Sequence, residues 1–134
     1  PSATARQNII DTINGQGAVT STRGSKGGTR VPLQTSVLAG AIAVSNVTPI
    51  QINAFVNGRH DSSSSRHYVG AAMDIQSAPS EIQRTKTILG ACKAAGATEF
   101  LGPCNNNVSK KICDATGFPT NSGHQTHIHC GWPR

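Results

Sequence analysis

The chain has 134 residues, 36% of them apolar and 13% charged, which leaves room for one compact domain and excludes two full ones. Twelve basic against six acidic residues give a net charge of +6, which biases the surface toward anionic partners such as nucleic acid, acidic polysaccharide or a bacterial wall, or serves plain solubility. The basic residues are scattered, and one Trp, one Tyr and three Phe are too few for a base-stacking platform, which argues against nucleic-acid binding.

With its 14 glycines the apolar share reaches about 46%, well above a disordered composition, so the chain is expected to fold. The longest apolar run, Val37 to Val44, falls far short of the ~18–20 residues of a membrane span, and no membrane association is expected. No basic, apolar leader opens the chain, so an exported form is expected to start near Pro1.

In chain order, Ile9, Ile10 and Ile13 trace one face of a short opening helix that stops at Asn14-Gly15. The stretch from Gly15 to Pro32 is rich in Gly, Ser and Thr and reads as a loop; its GSKGGT segment lacks the ending of a phosphate-binding loop. Leu33 to Val44 carries a helical apolar face, and Ile50, Ile52, Ala54 and Val56 then alternate as a strand. A polar loop over 57–65 precedes a second strand, where Ala71, Met73 and Ile75 alternate with Ala72 and Asp74. Ser80 and Gln83 fit a capping box for a helix running to about Ala95, with Gly96 as its stop. Thr98 to Leu101 reads as a third strand, Gly102 to Gly123 as a long polar segment, and Gln125 to Cys130 as the last strand. The pattern is that of one small α+β domain over 1–134 with an antiparallel sheet and flanking helices, helical over about 1–48 and sheet-based over about 49–134.

Cys92, Cys104, Cys113 and Cys130 are an even set in a short chain, and the nearest two are nine positions apart, too far for a zinc-finger pair. They read as a disulfide framework, which points to an extracellular, secreted protein. Of the three pairings, Cys104 with Cys113 and Cys92 with Cys130 is favoured, and the sequence leaves the others open. Sequons at Asn46 and Asn107 are compatible with a secreted source.

Three of the five histidines crowd into GHQTHIHCG as His124, His127 and His129. In an extended strand His127 and His129 share one face while Ile128 and Cys130 take the other. Upstream, SRHYVGAAMDI holds His67 and Asp74 seven positions apart, an offset that an unbroken strand would send to opposite faces. A turn at Gly70 lets His67 lie over the sheet while Asp74 projects from the strand. Asp74 is an acid in an apolar strand, costly there unless paired or coordinated. Two imidazoles and a carboxylate are the ligand set of a catalytic zinc with an open water position.

The run Ser65-x-His67-x-x-Gly70-x-Ala72-x-Asp74, followed by His127-x-His129, resembles the LAS-type zinc peptidases, which include D-alanyl-D-alanine carboxypeptidase, lysostaphin, the penicillin-insensitive murein endopeptidase and the hedgehog domain. The likeness spans roughly Pro49 to Trp132 and is strongest to the D-alanyl-D-alanine carboxypeptidase branch. It implies a hedgehog/D-Ala-D-Ala peptidase-like fold, one Zn2+ ion held by His67, Asp74 and His129, and His127 as the catalytic group handling the water proton. Thr126 stands where many of these carboxypeptidases place an acidic base. His124 corresponds instead to the extra histidine of the murein endopeptidase branch, and Arg59 falls near the family's substrate-binding arginine, with Arg30 and Arg66 as rivals. The resemblance implies a zinc metallopeptidase acting on bacterial peptidoglycan peptides, and the chain is expected to be a monomer. The alternative is a secreted, non-catalytic binding protein that keeps the zinc on the same scaffold.

Overall fold

Short apolar periods interrupted by polar segments build an α+β fold of three helices and a small antiparallel sheet. The computed structural model describes residues 4–19, 30–57, 64–78, 80–103 and 126–134. Helix α1 (Ala5–Ile13) opens where the Thr4 hydroxyl accepts from the Gln7 amide at 3.1 Å, closing one of the donors a helix start leaves unpaired. Helix α2 (Thr35–Val47) buries Val37, Gly40, Ala41 and Val44, a single stripe at helical spacing. Helix α3 (Ile82–Ala94) buries Thr85, Ile88, Leu89 and Cys92 in the same way.

Two short strands, β1 (Ala18–Val19) and β2 (Arg30–Val31), pair antiparallel near α1. The main sheet holds β3 (Ile52–Ala54), β4 (Ala72–Gln76), β5 (Glu99–Leu101) and β6 (His127–Gly131) in the order β3-β4-β6-β5, all antiparallel. Because side chains alternate along a strand, Met73 and Ile75 of β4 fall on the same face as Ile128 and Cys130 of β6, and all four are fully buried. This face packs toward the helices, and a disulfide from Cys92 in α3 to Cys130 in β6 pins one layer to the other. Trp132, just past β6, donates its indole N–H to the Ala95 carbonyl at the end of α3. One hydrophobic core runs from Ala5 to Trp132 through both halves of the chain.

The Cys92–Cys130 pairing agrees with the expectation from the sequence, while Cys104 and Cys113 lie outside the described residues. Four local expectations are corrected. The ends of the Gly15–Pro32 loop are zipped by the β1–β2 pair. Helix α2 begins at Thr35 instead of Leu33, whose amide is instead held by the Thr12 hydroxyl at 3.1 Å. The alternation from Ile50 to Val56 yields only a three-residue strand, because the Asn8 side-chain oxygen takes the amides of Val56 and Asn57 and bends the chain out of the ladder. The capping box of Ser80 and Gln83 does not form. The Glu81 amide closes a turn onto the Ala78 carbonyl, so Glu81 becomes the N-cap residue, without a side-chain cap. No helix among the described residues is long and apolar enough to cross a membrane.

Candidate metal centre

The register of β4 against β6 places Asp74 directly opposite His129 and Gln76 opposite His127, on the face turned away from the helices. His67 arrives from outside the sheet, on a 3₁₀ turn (Arg66–Val69) whose start is capped by the Ser65 hydroxyl accepting from the His67 amide. Gly70 ends this turn with φ +70°, and a Cβ there would lie 2.2 Å from the Pro32 carbonyl oxygen, so the turn sits too tightly on the segment before α2 for any other residue. The odd offset between His67 and Asp74 is resolved as the sequence suggests. The turn reorients the chain before the strand begins.

Three atoms then meet. His67 Nε2 lies 3.1 Å from Asp74 Oδ1 and 3.0 Å from His129 Nδ1, and His129 Nδ1 lies 3.0 Å from the same carboxylate oxygen. The residues are 1%, 8% and 4% exposed, so water does little to screen them. Donors at about 2.0–2.1 Å from a tetrahedral zinc lie about 3.3 Å from one another. The triangle needs to open by only a few tenths of an ångström to accept such an ion.

The outward nitrogens decide what the inward ones offer. His67 Nδ1 faces the Phe55 carbonyl, an acceptor only, and so carries its proton there. His129 Nε2 lies 2.6 Å from Glu99 Oε1 and donates to it. In the neutral tautomers set by these partners, His67 Nε2 and His129 Nδ1 both present lone pairs toward Asp74 Oδ1. Three acceptors facing one another at hydrogen-bond distance require a positive centre between them. This is the arrangement that fixes tautomer and ring orientation in metal-holding histidines, and His67, Asp74 and His129 form a group able to hold a metal ion.

Ionisation follows the same logic. Burial opposes the charge on Asp74, but His67 and His129 outweigh it and hold the carboxyl far below the usual carboxylate range. For His129, burial disfavours the imidazolium, yet hydrogen bonds to Asp74 and Glu99 prevail and raise its pKa to about 9. In the metal-free protein the proton on His129 supplies the positive charge between the acceptors. His129 in turn is the largest influence holding Glu99 below its ordinary value.

His127 lies at the rim, with Nε2 3.9 Å from Asp74 Oδ2 and a quarter of its side chain exposed. Burial pushes its pKa below the ordinary histidine value, with Asp74 pulling the other way. It stands beside the three converging atoms without joining them. Arg59 and His124 lie outside the described residues. Among the rival arginines, Arg30 donates to the Gly17 carbonyl on the β1–β2 ribbon, and Arg66 pairs with Glu99 and Thr98. Tyr68, next to His67 in the chain, is 1% exposed and packs inward.

Sequence reasoning passes over Glu99 and the Phe55 carbonyl. Glu99 is one of only six acidic residues and alternates with Leu101 on a strand, which could have drawn notice. Its partner could not be named without the β5–β6 register. The Phe55 carbonyl is backbone and leaves no signal in residue type. Compared with protein families, with curated proteins and with solved structures, the chain matches none.

Proposed function

We propose that this protein is a secreted zinc metallopeptidase that hydrolyses peptide bonds in the stem peptides or cross-links of bacterial peptidoglycan. The convergence of His67 Nε2, Asp74 Oδ1 and His129 Nδ1 at 3.0–3.1 Å carries the reading, together with the resemblance of the two motifs that supply them. His67, Asp74 and His129 would hold one Zn2+. A zinc ion with three such ligands keeps a position for water and supplies both an acidified water and a Lewis acid for the scissile carbonyl.

His127 supports catalysis rather than ligation. Its lowered pKa keeps Nε2 neutral near pH 7, so it is able to accept a proton there and return it to the leaving amine. Asp74 Oδ2, 3.9 Å away, favours the imidazolium formed in between. Arg59 and His124 are proposed to contact substrate, and the net charge of +6 favours an anionic wall. The Cys92–Cys130 disulfide suits an oxidising, extracellular setting.

Thr126, in place of an acidic base, favours a second reading as a zinc-containing binding protein without turnover. Incubating the zinc-loaded protein with purified peptidoglycan and identifying new termini by mass spectrometry separates the two. Release of muropeptides, falling about 10²–10⁴-fold in His127→Ala while bound zinc is retained, is the expected result. A metal-loaded protein inert on every stem peptide leaves the binding reading, and a protein that takes up no zinc overturns both.

A further inference from the structure

The non-ligating side of His129 is held by a small polar relay that reaches back to the turn bearing His67. His129 Nε2 donates to Glu99 Oε1 at 2.6 Å. The other oxygen of Glu99 lies 3.5 Å from Arg66 Nε, and Arg66 also donates to the Thr98 hydroxyl at 2.7 Å. Arg66 directly precedes His67 on the 3₁₀ turn. The relay therefore connects the supports of two converging histidines that arrive from different elements.

Space for it depends on one residue. Gly131 pairs opposite Glu99, and a Cβ on it would lie 3.1 Å from Glu99 Cβ and Oε1 and 3.0 Å from Arg66 Cδ. Any side chain at 131 presses on both members of the ion pair. An ion pair exposed to the extent of Arg66 and Glu99, at 23% and 39%, adds little to stability, so the geometry has to be explained by what it holds in place.

We infer that Glu99, anchored by Arg66 and given room by Gly131, is a positioning residue for the metal-holding His129, keeping its Nδ1 lone pair turned toward His67 and Asp74. The inference rests on the metal-centre reading above. A carboxylate in this position fixes the ring and raises the basicity of the ligating nitrogen, and removing such a partner typically costs 10–100-fold in metal affinity.

The test is zinc affinity by competition with a chelator of known strength, measured beside the thermal unfolding of the metal-free protein. Glu99→Ala is expected to bind zinc about 10–100-fold more weakly. Glu99→Gln keeps an oxygen that accepts from Nε2–H and is expected to recover most of that loss, a rescue that a merely structural role would not produce. Arg66→Met, which frees the carboxylate, is expected to show a smaller loss, about a few-fold. Zinc affinity of Glu99→Ala within twofold of the unaltered protein overturns the inference and leaves the metal centre standing. Should Glu99→Ala fail to fold, unchanged zinc affinity in Arg66→Met overturns it equally. An unaltered protein that binds no zinc takes down the metal reading itself, and this inference with it.

Discussion

The two faces of strands β4 and β6 are built from alternating residues of the same ten positions, yet they do opposite things. On one face Met73, Ile75, Ile128 and Cys130 are fully buried against the helices and cross-linked to α3. On the other, Asp74, His129 and His127 gather charge and lone pairs beneath the His67 turn. The apolar face is held by area and a covalent bond, and the polar face by complementarity that a cation completes. One register serves both, since a slip of a single residue would exchange the two sets of side chains. Stability and chemistry are thus coupled through register and separable in energy, and substitutions confined to one face test that separation.

The largest effect is expected on the polar face. Asp74→Ala removes the only carboxylate among the three converging residues and leaves two buried imidazoles facing each other 3.0 Å apart. Elemental analysis should then find no bound zinc after gel filtration, against one ion per chain for the unaltered protein, and peptidoglycan release should fall to background. Retention of zinc by this variant would break the assignment of the polar face. On the apolar face, Cys92→Ala/Cys130→Ala opens a link between residues 38 apart, a loop length at which a disulfide contributes about 3–4 kcal/mol by restricting the unfolded chain. Chemical denaturation should report that loss while zinc affinity stays within a few-fold. Loss of affinity in proportion to stability would mean that the faces are not separable.

The alternation of faces was legible because a period of two in HIHCG and AAMDI leaves little freedom once each segment is a strand. The resemblance of the spaced histidines to a known ligand pattern then named the three residues that converge at the centre of the site, His67, Asp74 and His129. What stayed hidden depends on contacts across long stretches of chain. Asn8 takes the amides of Val56 and Asn57 from 48 and 49 residues away, and by bending the chain there it brings the Phe55 carbonyl to His67. No local pattern encodes such a competition between a side chain and a ladder. Glu99 was missed for the same reason, since a three-residue strand carries too few alternations to reveal its register. The Ser80–Gln83 box does not form because the helix starts one residue later than the box requires, with Glu81 in the N-cap place that Ser80 would have to hold.

The smallest expected effect is also the most graded, and it sets the proton against the metal on the polar face. Asp74 is held below its ordinary value of 3.8, so its contribution to the metal-free fold is present above about pH 4 and is lost as pH falls toward its folded value. His129 is raised from 6.5 to about 9, so its contribution is full below pH 6.5 and is lost as pH rises through about 9. The metal-free cluster is therefore most stabilising between about pH 4 and 6.5. Zinc needs the neutral imidazole, so below pH 9 its binding must displace the His129 proton, and apparent affinity should rise by up to about tenfold per pH unit between 6.5 and 9. Thermal unfolding with and without chelator-buffered zinc should show a metal-induced rise in Tm that is smallest near pH 6 and grows steadily toward pH 9. The apolar face has no titrating group in this range among its four residues, so the metal-free Tm of the disulfide-free variant should lie a constant interval below that of the unaltered protein across the same pH series. A zinc effect flat with pH would mean that no proton occupies the centre before the metal does, and the three converging acceptors would then need another explanation.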